Sequence, residues 1–225
     1  MRRYDRNKET ITNQEQKVLK NSRICVIGCG GLGGYIIEEL GRIGVGYITV
    51  VDGDVFEESN LNRQIFCDME TLYKSKAETA QIRIKKINPE IFVNPIVARF
   101  DENNAESIIK DHDVIVDALD NIESKFLVQE KVEKFGIPFV HGAIAGWFGQ
   151  ISTVFPGDRT LDKIYSIKTG KGIETFAGNP AFIAAIVASL QVSEVIKLLL
   201  KKGELLKNKV LFLNLLNHEY NKIDL

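Results

Sequence analysis

Short apolar runs rich in β-branched residues recur at 24–27, 47–51, 91–97, 114–118 and 139–143, with helix-like stretches between them. That alternation admits few folds. Neighbouring parallel strands need a crossover, usually helical, and such crossovers cover both faces of a sheet. Helices are expected at 32–42, at 79–87 where Asn88-Pro89 ends the pattern, from an Asp101 cap to 110, and at 122–135. The prediction is an α/β fold built on a doubly wound, mostly parallel sheet.

After about residue 144 the rhythm changes. A strand is expected at 150–155, behind a Gly/Trp/Phe loop. Segment 156–178 has several glycines and charges and little periodicity, which reads as a mobile loop. Asn179 is placed to cap a helix to about 201, and 210–215 and 220–225 read as closing strands. Antiparallel strands are thus added at the C-terminal side. At the other end, Thr12-Asn13-Gln14-Glu15 has the form of a capping box, so 1–22 form an arm and a helix. The expected layout of 1–225 is a single domain.

Composition excludes several classes. Net charge is −1, which gives no drive toward nucleic acid or an anionic membrane. Met1-Arg2-Arg3-Tyr4-Asp5-Arg6 is charged and unlike a signal peptide. The longest apolar stretch, 180–190, is too short to span a bilayer and runs into Gln191, Glu194 and Lys197. Cys25, Cys29 and Cys67 form no CxxC pair. A reducing cytoplasm is expected, with no disulfide and no cysteine-held zinc.

The first strand runs into Gly28-Cys29-Gly30-Gly31-Leu32-Gly33, which opens a helix. Gly28 permits a tight turn, Gly30 lets backbone approach a phosphate, and Gly33 lets helix pack on strand. The fold is therefore Rossmann-like, with an anion favoured at the helix N-terminus. Asp52 closes the second strand, where a carboxylate accepts from ribose hydroxyls. Asp54 is a second ligand or a loop cap.

Asn60, Arg63 and Lys76 distinguish the chemistry. Charge builds on phosphoryl oxygens during reaction at phosphorus, and fixed cations stabilise it. A hydride-transfer site has no such need. Asp120-Asn121 follows the 114–118 strand, at the sheet edge where ligands bind. Asp120 there could hold Mg²⁺ on a pyrophosphate, or cap the next helix. His112, His141 and His218 read as structural or surface groups, and Trp147 and Phe148 as packing. Cys29 sits near a helix N-terminus that would lower its pKa, yet reads as packing. Cys67 is read as non-catalytic.

These residues resemble the adenylyltransferases that activate ubiquitin-like sulfur carriers, the molybdopterin-synthase and thiazole-carrier members of the ThiF/MoeB/HesA family. The matching pieces are Arg3-Tyr4-Asp5-Arg6, the glycine loop, Asp52-Gly53-Asp54, Ser59-Asn60-Leu61-Asn62-Arg63-Gln64, Lys76, Asn88-Pro89, Asp117 with Asp120-Asn121, Gly149-Gln150 and the helix around Ser189-Leu190-Gln191. The resemblance implies ATP over the glycine loop, with Gly28, Gly30, Gly31 and Gly33, Asp52, Asp54, Ser59 to Asn62, Asp120 and Asn121 in the nucleotide site. It implies Arg63, Lys76 and Asp120 as catalytic, Asp120 holding Mg²⁺, and Arg6 reaching the ATP of a second subunit in a homodimer. The substrate implied is the C-terminal carboxylate of a small carrier ending in Gly-Gly, and 156–178 corresponds to the crossover loop over its tail. Two features depart from the family. The paired CxxC zinc motifs are missing, so no zinc is expected. The loop cysteine is missing too, so the reaction is expected to stop at the adenylate.

Three other readings remain open on sequence. One is a relative that adenylates a tRNA-linked carboxylate, or one that modifies a peptide. Another is an NAD-dependent oxidoreductase, in which Arg63 and Lys76 lose their purpose. The last is a nucleotide-sensing module without catalysis.

Overall fold

The structure, a computed structural model, describes residues 2–166, 168 and 177–225. Its eight-stranded sheet has the order β3-β2-β1-β4-β5-β6-β7-β8. The strands are β1 (Arg23–Ile27), β2 (Tyr47–Val51), β3 (Phe92–Ile96), β4 (Val114–Asp117), β5 (Phe139–Ala145), β6 (Phe148–Val154), β7 (Lys209–Asn214) and β8 (Glu219–Asp224). Pairings from β3 through β5 are parallel. Those from β5 to β8 are antiparallel.

The helices are α1 (Asn13–Asn21), α2 (Gly31–Ile43), α3 (Lys76–Ile87), α4 (Ala105–Ile109), α5 (Ile122–Phe135), α6 (Thr160–Ile164) and α7 (Ala181–Leu200). Strand side chains alternate between two cores. Ile24 and Val26 of β1 join Ile36, Ile84 and Val187 on one face. Cys25 and Ile27 join Ile108, Phe126 and Leu161 on the other. Burial on both faces is why β1, β2 and β4 read as unbroken apolar runs, whereas β3, at the sheet edge, is half-exposed and carries Asn94. Chain order reverses between β1 and β4, and a crevice opens there at the carboxyl ends of the strands.

Several local expectations shift. The Thr12 capping box is present. Asp101 does not cap α4: its Oδ1 accepts from the Asn103 and Asn104 N–H groups, closing a turn, and the helix starts only at Ala105. Asn179 does not cap α7, whose N-cap is Pro180. β6 starts at Phe148, so β5 and β6 form a longer hairpin than expected. Segment 156–178 is not wholly loop, since it contains α6; Ile167 and 169–176, where the rest of the mobile-loop expectation falls, lie outside the described residues.

Helix α7 is long and apolar enough to cross a bilayer by length and composition. Here it packs against α2, β5 and β6. Its buried Gln191 donates to the carbonyls of Asp117 (2.9 Å) and Val140 (3.3 Å). Glu194 accepts from the Leu206 N–H at 2.9 Å and from the Thr153 hydroxyl.

Candidate nucleotide cleft

The crevice at the strand-order reversal is a cleft of about 600 Å³. Gly28, Gly30, Gly31, Asp52, Asp54, Arg63, Lys76, Asp120 and Asn121 all line it, though they come from five separate stretches of chain.

The glycine loop is shaped by close backbone approach. Gly28 has φ +100°, and a Cβ there would stand 2.5 Å from the Ala118 carbonyl oxygen. A Cβ on Gly33 would stand 1.8 Å from the Gly28 carbonyl oxygen, so only glycine lets α2 seat on β1. Gly33 therefore supports the cleft from behind. The Asp52 carboxylate ties two loops together. Oδ2 accepts from the Cys29 N–H at 2.8 Å, and Oδ1 from the Asp54 N–H at 2.9 Å. Burial raises the Asp52 pKa, while those N–H donors and Lys76 oppose the rise.

Arg63 is braced from behind. Its Nη1 donates to the Ser59 carbonyl and to Asn62 Oδ1, both at 2.9 Å. Asn60 sits inside the same turn, buried. Its Oδ1 accepts from the Glu57 N–H at 3.1 Å, and its carbonyl from the Gln64 N–H at 2.9 Å. Ser59, Asn60, Leu61 and Asn62 shape this turn without lining the cleft. Gln64, which the sequence offered only as the end of a motif, does line it. Its Oε1 is buried with no hydrogen-bond partner among the described residues.

Lys76 is the first residue of α3, although Ser75 caps the helix. The positive end of a helix favours an acid over a cation. A buried lysine there suits an external anion that both groups can face. Its ammonium lies 3.5 Å from Asp54 Oδ2, and Arg99, also on the cleft wall, lies 3.9 Å from Asp54 Oδ1. Asp54 is thus the partner of Lys76 and Arg99.

Asn121 caps α5, accepting from the Ser124 N–H at 2.8 Å. Capping is therefore not the work of Asp120. Its exposed carboxylate faces the cleft with no hydrogen bond or ion pair among the described residues. No three metal-ligating side chains gather among the described residues. A lone carboxylate fits Mg²⁺ when phosphate oxygens and waters supply the other ligands.

Next to the Asp120 loop lies a network of which the sequence singled out only Asp117. Asp117 is fully buried, and Lys125 Nζ reaches both its oxygens at 3.1 Å and the Gly142 carbonyl at 3.0 Å. His141 Nδ1 is 2.7 Å from Asp117 Oδ2. Asp117 stays below the usual carboxylate range: burial opposes this, but Lys125 and His141 outweigh it. Burial depresses His141, and depresses His112, whose Nε2 is 2.8 Å from Thr49 Oγ1.

The three cysteines are buried and free of disulfides. Cys29 does not have the lowered pKa that a helix N-terminus suggests: burial pushes its thiol well up, helped by Asp52. Cys67 is buried and also raised. Trp147 packs on Phe182 at 4.6 Å between ring centroids, and Phe148 on Phe212 at 5.9 Å.

Arg6 is exposed and does not line the cleft of its own chain. The arm before it is anchored: Arg3 donates to Asn88 Oδ1, and Asn88 Nδ2 donates to the Tyr4 hydroxyl at 2.7 Å.

Comparison with known proteins agrees with this geometry. Residues 4–225 match the ThiF family. A SAMP-activating enzyme E1 of Haloferax volcanii is 34% identical over 98% of this chain and 84% of its own length. The molybdopterin-synthase adenylyltransferase of Escherichia coli is 31% identical over 93% of this chain and 86% of that protein. The sulfur carrier protein ThiS adenylyltransferase of Bacillus subtilis is 37% identical over 82% of this chain, which spans 56% of it. Among solved structures, E. coli MccB with ATP has the same fold at 22% identity, with a TM-score of 0.83 over 99% of this chain and 71% of that one. With that family model matching nearly its whole length, the chain belongs to the ThiF family.

Proposed function

We propose that this chain is an ATP-dependent adenylyltransferase for the C-terminal glycine carboxylate of a small ubiquitin-like sulfur carrier. The observation that carries this is the gathering of Asp52, Arg63, Lys76 and Asp120 round one glycine loop. The names of the relatives, which activate SAMP, serve molybdopterin synthase or adenylate ThiS, support a carrier of that kind.

Asp52 accepts from the ribose, with its carboxylate already fixed by the Cys29 and Asp54 N–H groups. The triphosphate lies over the loop at the α2 N-terminus. The carrier carboxylate attacks the α-phosphorus, one P–O bond forms, the bond to the β-phosphate oxygen breaks, and pyrophosphate leaves. Arg63 and Lys76 stabilise the oxygens on which charge grows. Asp120 would hold Mg²⁺, which neutralises the departing pyrophosphate when bound. Ser59, Asn60, Leu61 and Asn62 serve indirectly, by fixing Arg63. Residues 1–225 act as one adenylation domain, with 156–178 as the cover of the carrier tail. Arg6 acts in the cleft of a second copy, since it lies away from its own. The setting is the cytoplasm, with no zinc.

ATP–pyrophosphate exchange with each Gly-Gly-ended carrier of the same genome tests this. Exchange that depends on one carrier is expected. ATP binding without exchange would turn the assignment to a tRNA-linked or peptide carboxylate. Binding of a nicotinamide cofactor in place of ATP would refute the phosphate role of Arg63 and Lys76.

A further inference from the structure

The cleft has two ends. Asp52, Gly53 and Arg99 lie beyond β2 and β3 at one. Ala143 and Ile144 of β5, with Tyr165 and Asn179, line the other. On the adenylyltransferase reading, ribose and phosphates fill the first end and the loop. The acyl substrate then enters by the second.

At that second end Tyr165 belongs to a chain of hydrogen bonds that runs back to Asp117. Lys125 donates to both oxygens of Asp117, so the carboxylate accepts everywhere. His141 Nδ1, at 2.7 Å, must therefore donate to it. A neutral imidazole has one N–H, so Nε2 is an acceptor. The Tyr165 hydroxyl lies 3.2 Å from that nitrogen and Gln150 Nε2 3.4 Å from it, and Gln150 Nε2 also donates to the Tyr165 hydroxyl at 3.0 Å. The Tyr165 ring also stands edge-on to His141 (5.7 Å, 80°) and to Phe126 (6.3 Å, 66°). Asp117 lies in β4, which leads directly to Asp120. Its Oδ1 accepts from the Leu119 N–H at 3.0 Å, within that same loop.

We propose that Tyr165 is a positioning residue for the acyl substrate and acts through His141. The phenol–imidazole–carboxylate relay holds the Tyr165 ring as a rigid wall where the tail enters. It joins that wall to the loop bearing Asp120. A glycine tail has no side chains to grip and much backbone freedom to lose, so fixed walls must supply its order. The proposal rests on the adenylyltransferase reading.

The test is Tyr165→Phe, which removes one oxygen and keeps the ring. Exchange is measured with the carriers of the same genome, varying carrier and ATP separately. The expected result is a carrier KM raised about tenfold, the scale of one hydrogen bond, with the ATP KM unchanged. Imidazole ¹⁵N shifts should show His141 protonated on Nδ1 and its Nε2 resonance displaced in Tyr165→Phe. Unchanged carrier kinetics, equal loss toward both substrates, or a His141 proton on Nε2 would each overturn the relay alone. Absence of exchange with every carrier in the unmodified protein would overturn the functional reading, and the relay's role with it.

Discussion

Lys125→Met is the perturbation whose cost can be worked most directly from the structure. The side chain is 4% exposed and its partner Asp117 is 0% exposed. Methionine keeps the length and removes three donated bonds, to the two Asp117 oxygens and to the Gly142 carbonyl. What remains is a buried carboxylate held by His141, the Leu119 N–H and little else. Breaking a buried pair from one side costs about 3–5 kcal/mol. The cost should depend on pH through His141. In the intact protein burial and Lys125 both depress its pKa, while Asp117 raises it. Without Lys125 the Asp117 carboxylate dominates and the His141 pKa rises. A proton taken up by the folded state stabilises it as pH falls, by up to about 1.4 kcal/mol per pH unit. Urea unfolding of the wild type, Lys125→Met, Asp117→Asn and the double variant, near pH 8 and near pH 5.5, measures this. The single Lys125 variant should lose about 3–5 kcal/mol near pH 8 and less near pH 5.5. The double variant should lose less than the Lys125 variant at the higher pH. A cost below about 1 kcal/mol near pH 8, or a deficit that ignores pH, would refute the account of Asp117 as a charge that must be partnered.

Lys76→Ala and Arg63→Ala should each slow carrier-dependent exchange by about 10²–10³-fold, the scale of one donor at a developing oxyanion. Unfolding midpoints should change little for Arg63→Ala, because its loss leaves only two acceptors at an open surface. His112 and His141 are both depressed by burial, so between their folded pKa values and the ordinary value of 6.5 the unfolded chain binds more protons. Stability should therefore rise with pH in that window, by at most about 1.4 kcal/mol per unit for each proton, and level off above it; a pH series of unfolding curves checks the sign. Iodoacetamide near neutral pH should leave Cys29 and Cys67 largely unmodified in the folded protein, since both thiols are buried and raised. Cys67→Ser should retain exchange, and a thiol-labile carrier adduct on either residue would contradict a reaction that stops at the adenylate.

The parallel half of the sheet was legible because its inner strands β1, β2 and β4 are buried on both faces and must be apolar. Gly28 and Gly33 were legible for a similar reason: the backbone distances at those positions leave room for no other residue. Arg63 and Lys76 carry their meaning in a motif close in sequence. Where the site depends on residues brought together only by folding, pattern gave no warning. Lys125 looks like any surface lysine on a helix until β4 places Asp117 beneath it. Tyr165 and His141 are 24 positions apart, and only the α6 turn brings phenol to imidazole. Caps were least legible where two candidates lay side by side. Asp120 and Asn121 compete for the start of α5, and the asparagine takes it, which frees the aspartate for the cleft. At α7 a proline supplies the helical entry and Asn179 is left facing the cleft.

Helix α3 has a consequence of its own. Its first residue, Lys76, faces the cleft, and its C-cap, Asn88, holds Arg3 and Tyr4 of the arm that carries Arg6. One rod about 18 Å long, at the rise of an α-helix, therefore has a cation site at one tip and the mooring of another cation at the opposite tip. Rods do not bend at one end alone. A small slide or tilt of α3 shifts the lysine and the arm's anchorage together. If Arg6 serves a neighbouring copy, each cleft is mechanically geared to the reach its own chain extends to the next.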